Sequence, residues 1–261
     1  MAKILKNSER AHEYIRQKIM LGELSEGARV SDVTVAEEMG LSRTPVREAI
    51  NRLHSEGLLE QVPHAGAFVR KLSRRELGDL FDVRALLESH AAEQAAMRIT
   101  EEDLTELDWL CNDLHRIVRQ FRDSGAATLD TESNQQFAMD DIKFHMIVLR
   151  ACGNQQVAKI VGDFRIMTSL CGKKRPHPSK TRLHLLATTW LMHSRVLRGL
   201  RGRSPHVASR WMSAHLQQGK EAALAHFDQN QASENAKDEF QPSSVQTMLA
   251  QMEHYQPVEP S

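Results

Sequence analysis

Residues 42–53 read Ser-Arg-Thr-Pro-Val-Arg-Glu-Ala-Ile-Asn-Arg-Leu, and no other stretch limits the fold so much. Val46, Ala49, Ile50 and Leu53 recur at three- and four-residue steps and form one apolar stripe, while Arg43, Arg47 and Asn51 fall off it. The pattern predicts a helix with one packed face and one face free to read something. Thr44 is expected as its N-cap, with Pro45 in the first helical position, where a missing N–H costs nothing. A shorter helix is expected to begin near Ser31 and Asp32, to turn Val35, Ala36 and Met39 inward, and to end at Gly40. Two helices joined by a tight glycine turn make a helix-turn-helix.

The runs Leu58–Val62 and Ala67–Arg70 are short and extended around Pro63-His64-Ala65-Gly66, which predicts a hairpin and therefore a winged helix-turn-helix. Such units also occur as plain packing modules. Arginines at the start of the second helix favour DNA, because arginine pairs bidentately with guanine in the major groove while hydroxyls and backbone N–H groups hold phosphates. The candidate DNA-binding set is Ser42, Arg43, Thr44, Arg47 and Asn51 on the helix, with His64 and Gly66 in the wing.

From about residue 8 to 70, this segment resembles the DNA-binding domain of GntR-type bacterial transcription regulators. Leu41 to Ile50, Leu53, Glu56-Gly57-Leu58 and Gly66-Ala67-Phe68-Val69 carry the likeness. The resemblance implies that Arg43, Thr44 and Arg47 contact an operator and that Gly66 shapes the wing. An arginine that some relatives use on the preceding helix has no counterpart here, where Val33 and Thr34 stand.

Charge constrains how such a module would work. The 261 residues carry 34 Lys+Arg and 34 Asp+Glu, and residues 1–71 carry eleven basic against ten acidic side chains. Phosphate attraction must then come from local placement, and modest affinity per copy favours a homodimer on a two-part site of double-stranded DNA. Cys111, Cys152 and Cys171 form no C-x-x-C pair, which argues against a disulfide framework or zinc ribbon. The first residues lack a signal-peptide core and no run is long enough to span a membrane, so a cytoplasmic location with no membrane partner is expected.

Beyond Ser73, the expected cap and linker, the periodicity is helical throughout: about 73–98, 101–123, 132–152, 154–171, 180–201 and 205–227. The fold class is mainly α, an N-terminal winged helix-turn-helix (1–71) followed by an all-α bundle (72–228). Residues 229–261 are polar and expected as a flexible tail, with a possible amphipathic turn at Val245, Met248, Leu249 and Met252.

Inside the bundle, Asp141 and His145 lie one turn apart among Phe137, Phe144, Val148 and Leu149. His193 shares a face with Leu186, Trp190 and Leu197, and His215 follows Trp211 and Met212. Inward imidazoles and a carboxylate are costly unless paired, and a divalent cation would satisfy all four; hydrogen-bonded core histidines are the plainer alternative. Asp141-x-x-Phe144-His145, Gly153-Asn154, His193 and His215 are similar to the ligand pattern of the FCD effector domain of the FadR subgroup. The resemblance implies a metal, zinc first, with nickel, manganese or iron as alternatives. It usually brings a glutamate just before the third ligand and an aspartate about eleven residues after it; Met192 and Ser204 stand there instead.

Residues 164–220 hold twelve Lys+Arg and no acid, whereas residues 76–141 hold sixteen acids and five Lys+Arg. Either the two halves face each other or a basic cavity attracts a small carboxylate effector. Arg84, Arg165 and Asn154 are the candidate effector-binding residues, although Arg84 has an ion pair with Glu88 open to it one turn on. The function expected is a ligand-responsive transcription regulator, a repressor by default, and not an enzyme. A metal-dependent hydrolase and a metal-independent DNA-binding protein are the rivals; no H-E-x-x-H motif or neighbouring general base supports the first.

Overall fold

The structure is a computed structural model and describes residues 2–170 and 179–238. The helix-turn-helix forms as α2 (Asp32–Met39) and α3 (Arg43–Ser55), preceded by α1 (Ala2–Leu21), a helix the sequence reading left unassigned. Ser31 caps α2 through its hydroxyl, and Gly40 ends it at φ 62°, the left-handed conformation a side chain resists. The stripe Val46, Ala49, Ile50 and Leu53 is buried against Ala11, Ile15 and Ile19 of α1.

Thr44 is not the N-cap of α3. Ser42 holds that position with extended backbone, its hydroxyl making no cap hydrogen bond, and Pro45 falls in the third helical position. The shift costs nothing, because the first four N–H groups of a helix have no partner inside it. The wing is β2 (Leu59–Val62) antiparallel to β3 (Gly66–Val69), and β3 also pairs with the short β1 (Arg29–Val30), giving the order β1-β3-β2. His64, at φ 62°, and Gly66, at φ 109°, turn the wing tip.

Ser73 caps α4 (Arg74–Arg98) in a reciprocal capping box with Glu76. The bundle continues with α5 (Glu101–Ser124), α6 (Thr131–Ala151), α7 (Gln155–Leu170), α8 (Ser179–Arg201) and α9 (Pro205–Asp238). The last helix therefore runs past residue 227, and residues 229–238 are helical where a flexible tail was expected. No Pro or Gly interrupts that stretch, Asn230 is buried, and Arg74 grips Asp228 at 2.8 Å. The amphipathic turn at 245–252, Gly172, Pro176, Pro178 and Cys171 lie outside the described residues. Cys111 and Cys152 are free and buried.

Among the described residues the largest core joins α1 to α3 and the wing to Leu77, Phe81, Ile166 and Met167 of the bundle; the bundle itself is filled around Leu107, Phe144, Val196 and Met212, with smaller clusters around Phe121 and Phe137 and around Leu149 and Val161. The basic and acidic stretches do meet at the surface, through Lys220–Asp82 at 2.6 Å, Arg201–Asp108 at 3.1 Å and Arg203–Glu101 at 3.1 Å. Helices α8 and α9 approach closely at Gly199, where a Cβ would lie 2.6 Å from the Ala208 nitrogen. Gly199→Ala must wedge apart the two helices that carry His193 and His215. The expected cost is about 1–3 kcal/mol, read as a lowered urea midpoint at unchanged m; an unchanged midpoint would contradict the close approach.

Candidate functional site

The outer face of α3 presents Ser42, Arg43, Thr44, Arg47 and Asn51 to solvent, with His64 and Gly66 exposed at the wing tip. One carboxylate organises the two arginines. Asp32 Oδ2 accepts from Arg47 Nε at 2.7 Å and from Arg43 Nη2 at 2.9 Å, yet these side chains stay 63% and 53% exposed. Burial would raise the Asp32 pKa, but the hydrogen bonds from Arg47 and Arg43 outweigh it and hold the carboxyl below its ordinary range. Both guanidiniums are thus fixed at the exposed tip of α3 and not buried.

A cleft between α3 and the wing is lined by Arg47, Asn51, His64 and Gly66 and also by Arg29 and Gln61, two residues the sequence reading missed. Gln61 donates to Asn51 Oδ1 at 2.7 Å, tying the wing to the helix. Arg29 is exposed beside Gly66 and makes no ion pair among the described residues. Its strand is only two residues long, too short for a periodic signal.

In the bundle, Asp141 and His145 of α6 meet His193 of α8 and His215 of α9. One ligand atom from each lies within 4.8 Å of all the others. His145 Nε2 is 3.1 Å from His215 Nε2 and 3.3 Å from His193 Nε2; Asp141 Oδ1 is 3.4 Å from His193 Nε2 and 4.0 Å from His215 Nε2. Four donors about 2.0–2.1 Å from one zinc ion at tetrahedral angles stand about 3.4 Å apart, so the set fits a divalent cation. Burial pushes all three imidazoles down, His215 to about 3, which keeps them neutral and able to ligate. Burial would raise the Asp141 carboxyl, but the Arg165 guanidinium, ahead of the imidazoles, holds it well below its usual range.

The surrounding shell is uneven. Glu88 of α4 accepts from His145 Nδ1, which leaves Nε2 as the free donor, and it also takes Arg84 Nε at 2.8 Å. Burial opposes the charge on Glu88, but Arg84 and His145 more than offset it and its pKa is strongly depressed. His193 is oriented differently, stacked on Phe144 with centroids 4.0 Å apart and planes within 3°, while its buried Nδ1 makes no hydrogen bond among the described residues. That orphan atom fits the missing acids at Met192 and Ser204.

His145 and His193 are sealed, whereas Asp141 and His215 line a cavity of about 560 Å³. Arg165 is nine-tenths buried in its wall and donates to Asp141 Oδ2 at 2.6 Å, with Nη1 3.7 Å from Glu88 Oε2 and neither Nε nor Nη1 in a hydrogen bond among the described residues. Arg84 also lines the cavity, but its Nε serves Glu88 and its Nη1 serves Thr168 Oγ1 at 3.0 Å. The ion pair thus takes the groups that an effector would need. Asn154 is not brought to the cavity: exposed at the start of α7, it accepts from the Gln156 and Val157 amides, the work of a helix cap.

Known proteins resolve the class. Residues 7–69 match the bacterial regulatory proteins of the gntR family and residues 79–218 match the FCD domain. The chain belongs to the gntR family of transcription regulators, in the group that carries an FCD domain. It is 30% identical over 135 residues to the Nta operon transcriptional regulator of Aminobacter aminovorans, covering 52% of this chain and 59% of that protein. It is also 30% identical over 151 residues to the gluconate operon transcriptional repressor of Bacillus subtilis, covering 58% and 57%. The chain thus matches under two thirds of the length of these relatives. The solved structure of E. coli McbR/YncC shares the fold at TM-score 0.71 and 18% identity, covering 85% of this chain and 98% of that one.

Glu88→Ala leaves Arg84 buried without its main partner and frees the His145 ring. Breaking such a pair is expected to cost about 3–5 kcal/mol in urea unfolding of the metal-free protein. A cost near zero would show that the Arg84–Glu88–His145 chain does not hold the site.

Proposed function

We propose that this protein is a ligand-responsive repressor that binds operator DNA as a homodimer and senses a small carboxylate through a divalent metal held by Asp141, His145, His193 and His215. The observation that carries the sensing half is Arg165: a nearly buried guanidinium whose Nε and Nη1 make no hydrogen bond among the described residues, in a cavity that also receives two of the four metal-ligating side chains. A buried cation with unmet donors attracts an anion, and the metal offers the same anion a coordination position. Zinc suits the donor set best, with nickel, manganese or iron as alternatives. No helix among the described residues is long and apolar enough to cross a membrane, which agrees with a regulator that meets DNA.

The DNA half works through α3 entering the major groove, with Arg43 and Arg47 at base edges, Ser42 and Thr44 on phosphates, and His64 and Gly66 in the wing following the backbone. Arg29, the free cation beside the wing turn, adds a phosphate contact. Effector binding shifts a population between two placements of the DNA-reading halves, so that half-site spacing fits the operator in one placement and not the other.

Two measurements test this reading. On an operator selected from random duplexes, Arg47→Ala is expected to weaken binding by about 1–3 kcal/mol and relax sequence preference, as loss of a bidentate base contact would. Arg29→Ala is expected to weaken binding evenly across sequences and lower the salt slope by about one. Equal affinity of all three proteins would sink the assignment. For the sensing half, metal analysis of the purified protein is expected to find about one ion per chain, reduced in His193→Ala. Citrate and gluconate should shift operator affinity in the loaded protein and lose that effect after chelation; no response from either acid, loaded or stripped, would refute it.

A further inference from the structure

The cavity beside the four converging donors is not walled by the bundle alone. Glu13, Arg16, Gln17 and Met20 of α1 line it together with Asp141, Arg165 and His215. Helix α1 belongs to the DNA-reading half and is bonded to α3 through a shared core in which Ala11, Ile15 and Ile19 meet Val46, Ala49 and Leu53, all buried. Within α1, Arg16 sits at a junction. Its Nη1 is 2.6 Å from Asp163 Oδ1 on α7 and 3.6 Å from Glu56 Oε2 at the C-terminal cap of α3, and Glu56 is also held by His12 at 2.7 Å. One guanidinium therefore touches the cavity, the bundle and the end of the helix that reads DNA, while its Nε and Nη2 make no hydrogen bond among the described residues.

We propose that α1 forms part of the effector site: Arg16 and Gln17 bind the end of the ligand remote from the metal, so the preferred effector is a diacid or an acid with a second hydrogen-bonding group. The inference rests on the reading of this cavity as the effector site and adds what binds the far end and how occupancy reaches α3. The chemistry of the wall supports it. Among the lining side chains, Arg16, Arg84, Arg165 and Arg182 stand against the carboxylates Glu13 and Asp141. Arg84 is committed to Glu88 and Thr168 and Arg182 donates its Nη2 to Asn134 Oδ1, whereas Arg165 and Arg16 each keep guanidinium N–H groups with no hydrogen bond among the described residues, which can meet two anionic groups. A cavity of about 560 Å³ holds far more than a single carboxylate beside Arg165. The same lining includes Phe137, Ile142, Ile166 and Leu186, which suit the methylene chain of a longer acid.

An anion that engages Arg16 competes with Asp163 and Glu56 for the same guanidinium. Loosening the first contact frees α1 from α7, and loosening the second alters what holds the end of α3. The ligand thus acts on the DNA-reading half by contact, and its affinity for the two placements differs by what Arg16 gives up and gains.

The test uses the full-length, zinc-loaded protein and matched acids: succinate, glutarate and adipate against butyrate, pentanoate and hexanoate. Calorimetry is expected to show at least one diacid binding about tenfold more tightly than its monoacid, the size of one charge-assisted hydrogen bond. Arg16→Gln should erase that preference while monoacid affinity and metal content hold. Gln17→Ala, an exposed position whose replacement does not threaten folding, should reduce the preference in part. Amide exchange of residues 10–20 should quicken on adding the preferred diacid, as α1 is released from α7. Binding that depends on Arg165→Gln but ignores Arg16→Gln and Gln17→Ala, with exchange in α1 unchanged, overturns this inference and leaves the effector site standing. No binding by any of the acids overturns both.

Discussion

Glu88 is the group around which the rest of the bundle is arranged. Fully buried, its carboxylate takes the His145 ring nitrogen and the Arg84 guanidinium and stands 3.7 Å from Arg165. Each of these partners would be expensive to bury alone; together they leave one imidazole edge, one carboxylate and one guanidinium aimed inward. His193 and His215 complete the set from two other helices. Burial first, and then repulsion from neighbouring imidazoles, keeps them neutral, the form a metal requires. Order in this part of the bundle and readiness for a cation have the same cause.

The DNA-reading half follows a similar logic with a looser outcome. Asp32 holds Arg43 and Arg47 together at the tip of α3, and exposed pairs of this kind contribute little to stability. Their value is positional, since two long side chains are kept extended in one place before DNA arrives. In the proposed DNA complex, phosphates and base edges would compete with Asp32 for the same donors. Arg29 carries no such restraint, so the cleft contains both prearranged and free cations.

Much of this was legible because the relevant signals are local. The apolar stripe of α3, the Gly40 turn, the wing hairpin and the Ser73 cap each lie within a few residues of chain and obey helix or strand periodicity. The four candidate metal-ligating positions were legible for a related reason: Asp141 and His145 are one turn apart, and each of the other two histidines sits on an apolar helical face. Where reading erred, the deciding interaction was either subtle or distant. Thr44 and Ser42 are both competent caps, and only the backbone at Ser42 chooses between them. Asn154 belongs to a family pattern, yet its side chain is consumed by two amides at the start of α7. The helix was expected to stop at 227 because polar residues follow, but no Pro or Gly interrupts residues 228–238 and Asn230 is buried, so it continues.

The amino-acid order alone settled where helices begin, which faces are apolar, and that the reading helix and the inward histidines exist, because periodicity and capping act over one or two turns. Packing decided what those pieces do to each other. That Asp32 binds both reading arginines, that Glu88 reaches His145 across 57 residues, and that α1 walls the cavity all depend on contacts between segments far apart in the chain. Such contacts arise from how helices far apart in the chain close against one another, and no local spacing encodes that closure.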